Sequence, residues 1–131
     1  MIVVLDTNVI VAALVAKGLC HEVVVRALGS GAVATSAALL DELEHTMSGK
    51  FRLGPAGVAF VQQLRRVVQI VELASLSGRV SRDADDDVVL ATAVAAGASL
   101  IVSGDQDLLV IGRYNGIDIV SPRDFLSRLS S

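Results

Sequence analysis

Two carboxylates stand where apolar runs of this chain end. Asp6 directly follows the run Met1–Leu5, and Asp105 follows the run "SLIVS", with Asp107 two residues further on. An ionised carboxylate is costly to remove from water, so an aspartate at the mouth of a buried strand needs a partner. Sites in open α/β sheets form outside the carboxyl ends of the strands. We therefore expect Asp6 and Asp105 to lie at one edge of a sheet.

Two further carboxylates fall on helices next to these strands. Asp87 is in the first turn of the helix that precedes "SLIVS", and Glu42 lies one and a half turns into the helix that follows a second strand. Taken singly, Asp87 and Asp105 are explained as helix caps and Glu42 as part of a solvated face. Taken together at one edge, the four charges would repel each other unless a cation neutralised them. Oxygen ligands alone favour Mg²⁺ or Mn²⁺ over zinc.

Such a site suits phosphodiester hydrolysis. Bound divalent cations can orient a phosphodiester, activate a water as the nucleophile and stabilise the leaving oxygen. Thr7, Asn8 and Ser103 are placed to support the carboxylates through hydrogen bonds. The sequence contains no CxxC, HExxH or GxSxG motif and no glycine-rich phosphate loop. The residues that other common classes of active site require are therefore missing.

The pattern of apolar residues predicts strands that alternate with helices. The predicted strands are 2–5, 31–36, 67–73, "SLIVS" and 117–120. The predicted helices are 8–16, 21–28, 37–47, 55–67, 87–96, 106–111 and 122–129. Ser36 is expected to cap the third helix and Gly97 to end the fifth, and residues 74–86 are expected to form a polar surface loop. Alternation of this kind predicts one α/β domain, residues 1–131, with a parallel sheet covered on both faces.

Composition supports one domain and limits its setting. The chain has 131 residues, 53% hydrophobic and 3% aromatic, with Cys20 as its one cysteine. An internal disulfide is therefore excluded, and a reducing, cytoplasmic location is the simpler interpretation. The apolar stretch Val88–Val102 is shorter than the roughly 20 residues of a membrane span. A net charge of −3 excludes a generally basic protein that coats nucleic acid, although local arginine patches remain compatible with it.

Four stretches together resemble the PIN domain family. They are "VVLDTNVIVAAL", "SAALLDELEHTM", "DADDDVVLATAVAAGASLIVSGDQDLL" and "GIDIVSPRDFL". They are most similar to the bacterial branch that contains VapC-like ribonucleases, the toxins of type II toxin–antitoxin pairs. The resemblance implies a three-layer α/β/α sandwich around a parallel sheet of about five strands.

The family's acidic positions can be carried over to this sequence. The resemblance places them on Asp6, Glu42, Asp87 and Asp105, as catalytic residues and metal ligands, with Asp107 as an assisting ligand. The third position precedes an apolar "LA-x-A" helix, so it falls on Asp87, and Asp85 and Asp86 stay open as alternatives. Ser103 stands where threonine is commoner, and it retains the hydroxyl.

The resemblance also implies an activity and partners. The activity would be endonucleolytic cleavage of single-stranded RNA by a metal-activated water, with Mg²⁺ or Mn²⁺ as the cofactor. The partners would be the RNA, a cognate antitoxin protein and a second copy in a homodimer, with no membrane involved. Two interpretations stay open for the apolar helices near Val9–Leu19 and Val58–Leu64: a surface for the protein partners, and ordinary core packing. We expect RNA contacts from some of the basic residues Lys50, Arg52, Arg79, Arg82 and Arg113.

Two other classes of function compete with this one. A non-catalytic interaction module with the same fold would bind a protein or RNA partner without cutting, and it stays open. A dehalogenase-like phosphatase would need a second aspartate where Asn8 stands, and a phosphotransfer receiver would need a lysine after the last strand, where none occurs. These two are disfavoured.

Overall fold

Six strands form one sheet in the computed structural model, which describes residues 1–30, 32–49, 54–76, 78–81 and 83–130. Five strands run parallel: β1 (Val3–Leu5), β2 (Val33–Ser36), β3 (Gln69–Val71), β4 (Leu100–Val102) and β6 (Ile117–Val120). The sixth, β5 (Arg113–Tyr114), pairs antiparallel with β6. The sheet order is β3-β2-β1-β4-β6-β5, with β1 near the middle.

Helices connect the strands and cover the sheet. They are α1 (Thr7–Val15), α2 (Leu19–Gly29), α3 (Ala37–Ser48), α4 (Gly54–Val67), α5 (Ala84–Ala96), α6 (Gln106–Ile111) and α7 (Pro122–Leu129). Alternation along each strand divides the core between the two faces of the sheet. Val3 and Leu5 pack with the α1, α2, α3, α4 and α7 side, whereas Val4 packs with α5 and α6. The predicted three-layer α/β/α sandwich is confirmed.

Local signals explain where several helices begin and end. The Ser36 hydroxyl accepts a hydrogen bond from the Leu39 N–H at 3.4 Å and caps α3, and the Ser121 hydroxyl caps α7 in the same way. Gly97 ends α5 with φ +64°, a left-handed conformation that glycine adopts without strain.

The number of strands differs from the prediction of about five. The additional strand β5 is the first arm of a hairpin whose turn is Asn115–Gly116, with φ values of 50° and 79°. Asn-Gly is the commonest signal for this type of tight turn. The five predicted strands correspond to the parallel set, and β5 extends it at one edge.

The start of α5 also differs from the prediction. The helix begins at Ala84, three residues before the predicted start at Asp87, because the Asp83 carboxylate caps it by accepting from the Asp85 N–H at 2.9 Å. The polar loop therefore ends earlier and three more residues become helical. Gly31 of the predicted second strand and residues 50–53 of the predicted break lie outside the described residues.

Within the described ranges, no single helix is long and apolar enough to cross a membrane. Only α1 and α2 taken together have the length and composition, and they are bent by 115° at the break between them.

Candidate active site

The first part of the site is built where β1 and β4 end side by side. Leu5 pairs with Val102, so the next residues on each strand, Asp6 and Ser103, are neighbours at the carboxyl edge of the sheet. The Ser103 hydroxyl donates to Asp6 Oδ2 at 2.6 Å and accepts from the Asp105 N–H at 2.9 Å. One buried hydroxyl thus links the two aspartates that follow these strands.

Asp105 is held from its other side by α6. Its Oδ1 accepts the Asp107 N–H at 2.9 Å and so caps that helix. The backbone of Asp107 therefore orients Asp105, whereas no described contact brings the Asp107 carboxylate to the other acidic groups.

The first turn of α5 supplies the second part of the site. Asp83, Asp86 and Asp105 each present a carboxylate oxygen, and these oxygens lie within 4.8 Å of one another. A buried hydrogen bond of 2.9 Å between the Ser36 and Thr92 hydroxyls ties the middle of α5 to the end of β2. The helix is thereby fixed with its first turn over the carboxyl edge of the sheet.

Glu42 on α3 completes the group. Its pKa is raised, first by partial burial and then by the charges of Asp6, Asp85 and Asp83. Those charges act on Glu42 only because the groups are near one another. We refer to Asp6, Glu42, Asp83, Asp86 and Asp105 as the acidic cluster.

Burial and mutual repulsion make the cluster poorly suited to hold all its charges unaided. Burial raises the pKa of Asp6, and the charge of Asp105 raises it further, against the hydrogen bond from Ser103 and the nearby N–H groups of Thr7 and Asn8. Burial, a hydrogen bond to Asp105 and the charges of Asp105 and Asp83 raise the pKa of Asp86 to about 7.

The donor set fits a hard divalent cation. Among the described residues, no lysine or arginine lies within ion-pairing distance of any member of the acidic cluster. All the donors are carboxylate oxygens, which Mg²⁺ and Mn²⁺ prefer, and a cation would relieve the repulsion that raises the pKa values.

Comparison with protein families agrees with this arrangement. The family model of the PIN domain matches residues 2–107, which contain all of the acidic cluster. The chain belongs to the PIN domain family. No curated protein matches the chain. PIN domains are generally nucleases that use divalent metals, and the acidic cluster of this PIN domain is compatible with that activity.

Asp87 lies elsewhere in this PIN domain. The resemblance placed the third acidic position on Asp87, but its carboxylate accepts the Val80 N–H at 3.1 Å and the Ser81 N–H at 2.7 Å. The Arg79 Nε lies 3.9 Å from the same carboxylate. The structure brings Asp86, which the sequence left open as an alternative, into the cluster instead.

The phase of α5 accounts for this one-residue difference. The buried positions Val89, Leu90 and Ala93 face the sheet. Asp86 lies three, four and seven residues before them, which are all helical repeats, whereas Asp87 lies at such a spacing from Leu90 alone among the three. Asp86 is 4% exposed, as expected for a group on the buried stripe. Extending the apolar stripe towards the start of the helix would have identified Asp86 from the sequence.

Thr7 and Asn8 lie beside Asp6, and their backbone N–H groups partly oppose the rise that burial causes in the pKa of Asp6. Among the described hydrogen bonds, the side-chain contact with Asp6 is made by Ser103. Thr7 and Asn8 also line a groove of about 510 Å³ between α1 and α3, which extends past Glu42 to Val15 and Thr46.

Sequence reasoning missed Ser81 and gave Asp83 no role. Ser81 donates from its hydroxyl to Asp86 Oδ2 at 3.1 Å and accepts from the Asp83 N–H at 3.3 Å. The spacing of Asp83 and Asp86, a cap and the third helical residue, was a usable signal because these two positions face each other at the start of a helix. Ser81 lies in an irregular loop and had no such signal.

Proposed function

We propose that this PIN domain is a Mg²⁺- or Mn²⁺-dependent endoribonuclease that cleaves single-stranded RNA. Asp6, Glu42, Asp86 and Asp105 would hold one or two cations. The observation that carries the proposal is the convergence of carboxylates from β1, α3, α5 and β4 without a counter-charge among the described residues. A fold without a cation to bind gains nothing from this repulsion.

The protein's own groups would prepare the site for the reaction. Ser103 holds the carboxylate of Asp6 through Oδ2, and the N–H of Asp107 holds Asp105 through Oδ1. A cation bound there would polarise the phosphodiester, activate a water and stabilise the charge on the leaving oxygen. Fixed carboxylates need little rearrangement when the substrate arrives, and this lowers the barrier.

The groove beside the cluster supports single-stranded RNA as the substrate. Its lining includes apolar side chains of α1, namely Val11, Ala12 and Val15, together with the polar Asn8 and Thr46. None of the described residues that line it is basic, which favours a base over a phosphate as the occupant. A base can enter such a groove only when it is unstacked, as in single-stranded RNA.

Phosphate contacts would come from cations outside this groove. Arg79 lies near Asp87, at the end of α5 that contributes to the acidic cluster. Arg113 pairs with Asp118, and Asp118 is in register with the first residue of β4. Arg113 therefore lies at the opposite edge of the sheet and is not part of this surface. Lys50, Arg52 and Arg82 lie outside the described residues.

The biological role we propose is that of the cytoplasmic toxin of a type II toxin–antitoxin pair, acting as a homodimer and neutralised by an antitoxin. Exposed apolar side chains support these contacts: Val15 is 52% exposed, Leu19 40% and Val58 57%. Val58 also lines a groove of about 680 Å³ between α3 and α4. Light scattering over a range of concentrations tests the homodimer, and Val58→Glu beside Val15→Glu shows which surface forms it.

The direct test is cleavage of a mixed pool of single-stranded RNA by the purified protein, with Mg²⁺, with Mn²⁺ and with EDTA. A matched single-stranded DNA pool shows whether deoxyribose is accepted. We expect cutting of RNA that requires the cation and that Asp6→Asn abolishes while the melting transition persists. Asp118→Asn, an aspartate substitution at the opposite edge, is the control and should cut normally.

The same experiment distinguishes the nuclease from the alternative function. An absence of cutting in every buffer, with no Mn²⁺ binding by calorimetry, would overturn the nuclease proposal and favour a non-catalytic interaction module. Full activity in Asp6→Asn would contradict the assigned site even if the protein cut RNA.

A further inference from the structure

The loop before α5 is bound to the helix by two adjacent aspartates. Asp87 accepts the backbone N–H groups of Val80 and Ser81 at 3.1 and 2.7 Å, one on each carboxylate oxygen. The next aspartate, Asp86, accepts the side-chain hydroxyl of Ser81 at 3.1 Å. Ser81 is therefore held through its backbone by one aspartate and directs its side chain to the other.

The hydroxyl of Ser81 has both of its hydrogen-bonding roles filled. It donates to Asp86 Oδ2 and accepts the N–H of Asp83 at 3.3 Å, and the residue is only 5% exposed. Because the residue is buried, water competes little for this hydroxyl. Its orientation follows from the position of the Ser81 backbone, whose N–H is held by Asp87.

We infer that Ser81 and Asp87 are positioning residues that set the direction of the Asp86 carboxylate for cation binding, an inference that rests on the proposed function. Ser81 engages Oδ2 of Asp86 and leaves the other oxygen for a cation. Asp87 acts one step further out, by anchoring the backbone of Ser81. Neither residue is assigned contact with the substrate or the cation.

The size of the effect follows from what such contacts do elsewhere. Hydrogen bonds that orient a metal ligand typically change metal affinity by about 10- to 100-fold when they are removed. Ser81→Ala removes one hydroxyl and leaves the backbone bonds to Asp87 in place. Asp87→Ala removes both backbone hydrogen bonds that hold Val80 and Ser81, so we expect the larger loss from it.

The test is the dissociation constant for Mn²⁺, measured by calorimetry on the unaltered protein and five variants. Ser81→Ala should weaken Mn²⁺ binding by about tenfold and Asp87→Ala by up to about a hundredfold. Ser81→Thr keeps the hydroxyl and should restore affinity close to that of the unaltered protein. Ser30→Ala and Asp118→Asn are the matched controls. Ser30 makes a hydrogen bond and Asp118 an ion pair, both near the amino edge of the sheet.

Thermal melting and RNA cleavage on the same samples separate the outcomes. If the unaltered protein binds Mn²⁺ and cuts RNA while Ser81→Ala binds Mn²⁺ equally well, the inference is wrong and the proposed function stands. If the unaltered protein neither binds Mn²⁺ nor cuts RNA, the proposed function fails and the inference fails with it. If Asp87→Ala does not fold, Ser81→Ala and its rescue by threonine decide.

Discussion

The aspartates at the two edges of the parallel sheet have opposite electrostatic surroundings. At the amino edge, Asp118 lies between two arginines, with Arg128 Nη1 at 3.2 Å and Arg113 Nη1 at 3.6 Å. At the carboxyl edge, carboxylates face one another, and no cationic side chain among the described residues neutralises them. Both edges belong to the same sheet and are formed by the same strands.

The comparison separates charges that stabilise the fold from charges that oppose it. Asp118 has its counter-ions in the folded protein and contributes modestly to stability, as partly exposed ion pairs do. Asp86 is nearly buried beside two other carboxylates, and its pKa is raised to about 7. A protein retains this unfavourable electrostatic energy at one edge of its sheet when that edge binds a cation.

Removing one carboxylate of the cluster should have the largest effect on activity. We expect Asp86→Asn and Asp105→Asn to lower RNA cleavage about a thousandfold, because loss of a ligand removes several kcal/mol of transition-state stabilisation. Single-turnover cleavage rates at saturating Mn²⁺ measure this. Asp87→Asn serves as the comparison, and equal losses from Asp86→Asn and Asp87→Asn would contradict our assignment of Asp86 to the site.

Divalent cations should stabilise the folded protein. A cation at about 100 times its dissociation constant adds about 2.7 kcal/mol, which corresponds to a rise of roughly 5–10 °C in melting temperature for a domain of this size. Melting curves with Mn²⁺ and with EDTA measure the shift. Asp105→Asn should show little of it, and an undiminished shift in that variant would place the cation elsewhere.

In the cation-free protein, stability should fall as the pH rises. Asp86 has a pKa of about 7 when folded and about 4 when unfolded, so between these values the folded state holds a proton that the unfolded chain releases. The free energy of unfolding should therefore drop by about 1–3 kcal/mol between pH 5 and pH 8 in EDTA. Urea unfolding at both pH values measures it, and Asp86→Asn should flatten the dependence; a rise with pH in the unaltered protein would refute the explanation.

The amino edge should give the smallest effect. Asp118→Asn removes two ion pairs that are partly exposed, so we expect a loss of about 0.2–1 kcal/mol in the free energy of unfolding. RNA cleavage and Mn²⁺ affinity should not change. A large loss of cleavage in this variant would remove the distinction between the two edges.

Much of the fold follows from local patterns that tertiary packing did not override. Short runs of valine and isoleucine predicted the parallel strands, and Ser36 and Gly97 marked the helix ends that the structure has. The strand β5 was missed because two residues are too few to show a periodicity. Its Asn115–Gly116 turn was nevertheless visible in the sequence.

The site was harder to predict than the fold. Four aspartates occupy positions 83 to 87, and residue type alone does not distinguish them. Their roles depend on the rotational phase of α5, which is fixed by the packing of Leu90 and Ala93 against the sheet. The contribution of Ser81 depends on loop contacts with Asp86 and Asp87, which a linear pattern does not encode.

The bond between Ser103 and Asp6 joins residues 97 positions apart. Closing so long a loop is slow and costs entropy, so this contact forms only when β4 has joined β1. During synthesis, Asp6 leaves the ribosome long before Asp105 does, and a chain that lacks β4 holds only part of the cluster. The order of residues along the chain thus delays completion of the site until Asp105 has been made.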